Sequence, residues 1–303
     1  MYYNYLDAIL KNTKGKNITI MPHDCADVDA IISSILLSKL FDYFNITNSI
    51  CIIDKNIGKD TKTIISSLGY DVKDFFVDSE EENRELFLVD HYETIHKGNV
   101  IGVIDHHFTT SNIKSKVYLY QESCATAYII YKLMEVAKIP IKRIDIILLA
   151  HAMLVDTCCF KSQKTVSSEK EELITLCLNN NLNYDTIKES SYALTDIANM
   201  SIDEIIKNGL KKYDFCNRKV ASSYVQIKGK LYRSILETVI LKINNILKKD
   251  NISMWIFICF DMQNDITSVY HITPNGVREE RYNYILSRGK NIIPKVEEYF
   301  NNL

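Results

Sequence analysis

The sequence predicts an α/β protein, a parallel-sheet N-terminal domain followed by a smaller α+β C-terminal domain. Three observations carry that prediction. Short apolar runs alternate with helical patterns over residues 17–178, the mark of strand–helix–strand units. A polar stretch holding Asn179, Asn180, Asn181 and Asn183 then changes the texture. Beyond it the order is different, with two apolar runs separated by only four residues. We place the first domain at 1–185, a linker with helical content at 186–205, and the second domain at 206–303.

Each element has its own signal. Residues 17–21 (NITIM) read as a strand, and 28–44 as a helix with Ile31, Ile35, Leu36 and Leu40 at core spacing. Residues 50–53 (ICII) read as a second strand. A short helix over 61–68 stops at Gly69, a usual C-terminal residue. Runs 86–89 and 100–104 are strands, with a weaker one at 117–120. Segments 125–137 and 144–155 are helices. Ser168 with Glu171 fits a capping box opening a helix over 169–178. In the second half, 220–227 is a strand and 231–248 a long amphipathic helix. Residues 254–261 and 266–272 form a hairpin, and a last helix covers 294–300.

Composition narrows the function classes. The chain has 303 residues, 36 basic and 38 acidic, for a net charge of −2. That balance lacks the basic excess of a general nucleic-acid binder, so no nucleic-acid partner is expected. No run of about 18 apolar residues marks a membrane span. The N-terminus lacks the basic-then-apolar layout of a signal peptide, and eight scattered cysteines contain no C-x-x-C pair. These features predict a cytoplasmic protein with thiols rather than disulfides. A homodimer is compatible with them. There is no G-x-x-x-x-G-K phosphate loop.

The chemistry gathers after the strands. His23, Asp27 and Asp29 follow the first strand and open a helix; Asp90, His91 and Glu93 follow the third; Asp105, His106 and His107 follow the fourth. In an open α/β sheet, ligands bind at these carboxyl ends. Mixed imidazole and carboxylate donors suit a divalent ion such as Mn²⁺, Mg²⁺ or Zn²⁺. Asp27 and Asp29 read equally well as helix N-caps. Asp156 ends an apolar helical run, where a carboxylate needs a partner and a cation would serve.

These residues resemble a known family. Asp105-His106-His107 is the signature of the DHH phosphoesterase superfamily. His23, Asp27 and Asp29 resemble its first motif, and 88–93 (LVDHYE) is similar to the LVDHNE of family II inorganic pyrophosphatases. Val155-Asp156-Thr157 with Phe160-Lys161-Ser162 resembles their SDT and FKS pattern. Glu122 and 124–127 (CATA) resemble a helix start of the same family, and 287–294 (SRGKNIIP) resembles its SRKKQIIP. That last motif belongs to the second type of DHH-associated C-terminal domain, shared with related exopolyphosphatases.

The resemblance implies an active site between the two domains holding two divalent ions, usually Mn²⁺, with Co²⁺ or Mg²⁺ as alternatives. One ion would be held by His23, Asp27 and Asp90, the other by Asp29, Asp90, His106 and Asp156. Asp90, bridging, and His107, facing substrate, are the expected catalytic residues. Lys211, Arg288 and Lys290 would bind the phosphate substrate together with His107. Asp105 and Glu93 would orient imidazoles. Two closely spaced cations activate a water and clamp phosphate oxygens. The implied reaction is phosphoanhydride hydrolysis, with inorganic pyrophosphate as leading substrate and short polyphosphate as the alternative. Three departures bear on substrate. Tyr92 replaces Asn, Gly289 replaces a lysine, and the first motif's A-D-x-D-A-I form is nearer the exopolyphosphatases. A nucleotide phosphodiesterase is a rival, although the chain has no Gly-Gly pair. A non-catalytic interaction protein of the same fold is a second rival.

Overall fold

The computed structural model describes residues 2–77, 84–94, 96–109, 114–192, 195 and 197–302, with only the backbone of Lys290. The chain divides into two compact units, one of residues 1–160 and 164–192, the other of 161–163 and 193–303.

The first unit opens with helix α1 (Tyr2–Thr13), which buries Leu6, Ile9 and Thr13 on one face. Strand β1 (Ile18–Pro22) comes next, buried along its whole length, as a central parallel strand must be. Helix α2 (Val28–Tyr43) is buried on nearly all sides, because its sequence is apolar all round rather than on one stripe. Then come β2 (Asn48–Ile50), α3 (Lys59–Ser67), β3 (Glu85–Val89), β4 (Asn99–Asp105) and β5 (Val117–Tyr120). Helices α4 (Thr126–Val136), α5 (Arg143–Asp156), α6 (Ser167–Asn179) and α7 (Tyr184–Ser190) complete the unit.

The five strands form a wholly parallel sheet in the order β2-β1-β3-β4-β5. From β1 the chain steps outward to β2 and then back across to β3. The order therefore reverses between β1 and β3, which opens a crevice at their carboxyl ends. Pro22 pairs with Val89 and Val89 with Ile104, so the three chemistry-bearing loops leave the sheet side by side. Gly102 on β4 is required by packing: a Cβ there would stand 2.2 Å from the Phe87 ring.

The second unit contains α8 (Ile202–Lys207), β6 (Lys211–Phe215), β7 (Arg218–Ile227), α9 (Arg233–Asp250), β8 (Met254–Asp261), β9 (Ile266–Thr273), β10 (Gly276–Tyr282) and α10 (Ile293–Asn301). Its sheet runs β10-β9-β8-β7-β6, antiparallel except for β7 with β8. A parallel pair needs a crossover, and α9 supplies it. Val239, Ile243 and Leu247 repeat every four residues along α9 and pack with Trp255 and Phe257 of β8.

Several boundaries differ from the sequence expectation. The apolar run 50–53 contributes little to β2, because Ile52 pairs with Phe76 as a single bridge. Helix α6 begins at Ser167 with Val166 at its cap, so Ser168 and Glu171 form no capping box. Its start is set by tertiary contact. Glu169 turns inward and accepts from the Ser123 hydroxyl (2.9 Å) and the Cys124 amide (2.8 Å). The sequence pattern does not reveal helix α1 or strands β6 and β10. β6 and β10 are edge strands with mostly exposed, charged residues, and such edges carry no period-two apolar signal.

Candidate metal centre

The site forms where the loops after β1, β3 and β4 meet the end of α5. Three turns aim its side chains. Asp27 caps α2, its Oδ1 accepting from the Ala30 amide at 3.1 Å. Its Oδ2 lies 3.7 Å from His23 Nε2, so one carboxylate serves both the cap and the cluster. Asp90 leaves β3 with φ +64°, a left-handed conformation that turns its carboxylate into the crevice. After α5, Cys158, Cys159 and Phe160 are all left-handed, with φ of 50°, 59° and 60°. Such a run costs roughly 1–2 kcal/mol per residue, so the surrounding packing must hold it. Beyond it, Lys164 returns to Asp156.

Asp90 is the hub. Its Oδ2 lies 3.6 Å from His23 Nε2, and its Oδ1 lies 3.4 Å from His106 Nε2 and 3.6 Å from His107 Nδ1. Two groups of three donors result, His23–Asp27–Asp90 and Asp90–His106–His107, each with its ligand atoms within 4.8 Å of one another. Asp90 belongs to both. The Thr126 hydroxyl donates to Asp90 Oδ1 at 2.8 Å and fixes the carboxylate.

Backbone carbonyls orient most of the imidazoles. His106 Nδ1–H donates to the Ser123 carbonyl (3.0 Å), and His23 Nδ1–H to the Asp24 carbonyl (2.7 Å). That tautomer leaves Nε2 as a lone pair facing the cluster, the arrangement a metal-binding histidine requires. His107 Nδ1 instead pairs with Asp105 Oδ1 at 2.9 Å. Glu93, expected to orient an imidazole, is exposed.

Asp29 and Asp156 lie in the same cluster but outside both three-donor groups. Asp29 is fully buried and binds the start of α4, accepting from the Thr126 amide (2.7 Å) and the Ala127 amide (3.0 Å). Its Oδ2 is 4.0 Å from His106 Nε2. Asp156 Oδ2 is 3.6 Å from the same nitrogen. Both oxygens of Asp156 accept from Lys164 Nζ, each at 2.7 Å.

The electrostatics of this cluster call for a cation. Burial, then the neighbouring carboxylates Asp90, Asp156 and Asp27, push the Asp29 carboxyl well above its ordinary range. Burial likewise raises Asp90, and Asp27, Asp105 and Asp156 add to it. Burial pushes His106 down to about 4, so its imidazole is neutral at pH 7. Burial opposes charge on Asp156 as well, but the Lys164 ammonium and His106 outweigh it and hold that carboxyl low. His106 Nε2 is buried without a hydrogen-bond partner. An orphaned imidazole lone pair beside three carboxylates, Asp29, Asp90 and Asp156, is unfavourable unless a cation sits with them. The donors fit a divalent ion of the Mn²⁺, Co²⁺, Zn²⁺ or Mg²⁺ kind.

The remaining expected residues fall in the second unit or outside the site. Lys211 is exposed at the start of β6. Arg288 lies in a single π-helical turn (Arg288–Ile292), bonds the Gly209 carbonyl and covers the Tyr224 ring at 5.2 Å. The Lys290 side chain is outside the described residues. Tyr92 is partly buried against the apolar cluster of Met21, Cys51, Leu86, Leu88 and Val103. His96, in the loop after β3, bonds Asp24 Oδ1 at 2.8 Å. Sequence reasoning also missed Thr126 and Lys164. Thr126 lies in the motif 124–127 but carried no role there. Lys164 carried no signal, because its reach depends on the left-handed turn.

Residues 17–155 match the model of the DHH family, N-terminal domain. The chain carries a DHH-family N-terminal domain. All three chemistry-bearing loops lie within that match, and Asp156 at the end of α5 falls one residue beyond it. The whole chain is similar to the manganese-dependent inorganic pyrophosphatase of Methanothrix thermoacetophila, 22% identical over 313 positions that cover 94% of this chain and 98% of that protein. Its fold is similar to the crystal structure of a candidate family II inorganic pyrophosphatase from Methanococcus jannaschii. The TM-score is 0.75 at 21% identity, covering 94% of this chain and 99% of that one. An exopolyphosphatase-related protein from Bacteroides fragilis gives a TM-score of 0.53 at 15% identity, covering 99% and 97%. Among the described residues, no helix is long and apolar enough to cross a membrane.

Proposed function

We propose that this chain is a divalent-metal-dependent hydrolase of phosphoanhydrides, with inorganic pyrophosphate as its main substrate. One observation carries the reading. Two three-donor groups share Asp90, beside a buried imidazole nitrogen that has no hydrogen-bond partner. His23, Asp27, Asp90 and His106 would hold the metal, with Asp29 and Asp156 completing the carboxylate shell. The metal, when bound, would supply Lewis acidity toward a phosphate oxygen and an activated water. Among the chain's own groups, His107 is half-exposed beside Asp90, with its ring held by Asp105, where it can hydrogen-bond a substrate oxygen. Lys211 and Arg288 would neutralise the departing phosphate.

The end-to-end likeness to a pyrophosphatase, over 94% of this chain and 98% of that protein, supports pyrophosphate. The first motif's A-D-x-D-A-I form favours a second reading, a short-chain exopolyphosphatase. Phosphate release from pyrophosphate and from tripolyphosphate, measured with Mn²⁺, separates the two. A preference for pyrophosphate of about tenfold or more in kcat/KM supports the main reading, and comparable rates favour the second. Cleavage of a dinucleotide with neither anhydride touched would overturn both.

A further inference from the structure

We propose that Lys164 is a built-in counter-cation of the carboxylate cluster and makes its metal positions unequal. A first divalent ion binds tightly at His23, Asp27 and Asp90. A second ion, at His106 and Asp156, enters only by displacing the lysine ammonium. This inference rests on the metal-dependent reading above and goes beyond it.

The geometry supports it in three ways. Lys164 Nζ stands 2.7 Å from each oxygen of Asp156, a chelating position that an ion on that carboxylate would need for itself. The two side chains are only 14% and 15% exposed, so this is no solvated surface pair. Neither three-donor group includes Asp156, although its Oδ2 is 3.6 Å from the orphaned His106 nitrogen. The ammonium thus covers a carboxylate that a second position around His106 would need, beside Asp29, whose Oδ2 is 4.0 Å from the same nitrogen. The backbone also holds it there, through the left-handed turn at Cys158, Cys159 and Phe160.

Charge balance favours the same division. Four carboxylates, Asp27, Asp29, Asp90 and Asp156, are neutralised by two divalent ions, or nearly so by one ion and one ammonium. Two ions together with the ammonium would overcharge a buried site. Because the lysine is flexible and tethered, it can swing away when a second ion or an anionic substrate alters that balance.

Titration of the metal-free protein with MnCl₂, followed by calorimetry and electron paramagnetic resonance, tests the proposal. The wild type should show two classes of site whose dissociation constants differ by about tenfold or more, with uncoupled Mn²⁺ signals at the first equivalent. In Lys164→Gln the second class should tighten by about tenfold, and spin-coupled pairs should form at lower Mn²⁺. Lys164→Arg, which keeps the charge, should retain the inequality. Two equal sites in the wild type, coupled from the first additions, would overturn the proposal whether or not the glutamine variant folds. So would a folded Lys164→Gln protein with wild-type constants. Binding is read without substrate. Unequal sites in a protein that cleaves no phosphoanhydride therefore support this inference and overturn the proposed substrate. Equal sites in an active hydrolase do the reverse.

Discussion

The two units treat charge in opposite ways. In the first, Asp29, Asp90, Asp105, His106, Asp145, His151 and Glu169 are all buried; in the second, Asp261 is the one buried Asp, Glu, Lys, Arg or His among the described residues. Asp261 is spent locally, accepting from the amides of Gly229, Gln263 and Asn264 at the hairpin turn. For Asp29, Asp90, Asp105 and His106 the difference comes from strand direction. A parallel sheet sends every strand end to the same edge, so residues after β1, β3 and β4 converge in one crevice. A mostly antiparallel sheet alternates its ends, and its loops disperse. Buried charge can accumulate only where convergence brings opposite partners or an ion within reach, which the first unit does around Asp90.

Three experiments would break or sharpen that contrast. The largest effect is expected from Asp90→Ala. Partners that merely orient ligands cost about 10–100-fold in metal affinity, and loss of the shared carboxylate should exceed that range. Calorimetric Mn²⁺ titration and phosphate release should collapse together, and retained hydrolysis would remove the shared-carboxylate scheme. Lys211→Ala should act in the opposite unit and on a different quantity. KM should rise by about tenfold while Mn²⁺ affinity and melting temperature stay put, because a substrate cation acts on the anion alone. A change in metal affinity instead would erase the proposed division of labour.

The smallest effect concerns His151, buried on α5 with its Nδ1–H on the Ile147 carbonyl and its Nε2 3.0 Å from Ser190 Oγ. Burial lowers its pKa below the ordinary 6.5, so the unfolded chain takes up a proton at higher pH than the folded one. Its contribution is intact above about pH 6.5 and declines as pH falls below that toward the folded value. Denaturant titrations at pH 7.5 and 5.5 should show a smaller acid loss in His151→Gln than in the wild type. An equal loss would place the acid sensitivity elsewhere.

How much was legible tracks the same contrast. The strands β1, β3, β4 and β8 are continuous apolar runs buried in their sheets, so composition alone marks them. The edge strands β6 and β10 are charged on both faces and were invisible. At the site, His23, Asp27, Asp90, His106 and His107 could be singled out because each comes just after a strand that the pattern reveals. Thr126 and Lys164 could not, since one acts through a hydroxyl across 36 positions and the other through a backbone turn.

By itself the sequence determined the parallel α/β unit, the smaller α+β unit and the residue types that gather at strand ends. Those are local properties, set by the apolar period and by the polar residues that end each run. Only the tertiary structure decided that the Thr126 hydroxyl fixes Asp90, that helix α4 holds Asp29, and that an ammonium sits on Asp156. These depend on φ at single residues and on contacts between distant segments, where a few ångströms separate a metal ligand from a salt bridge.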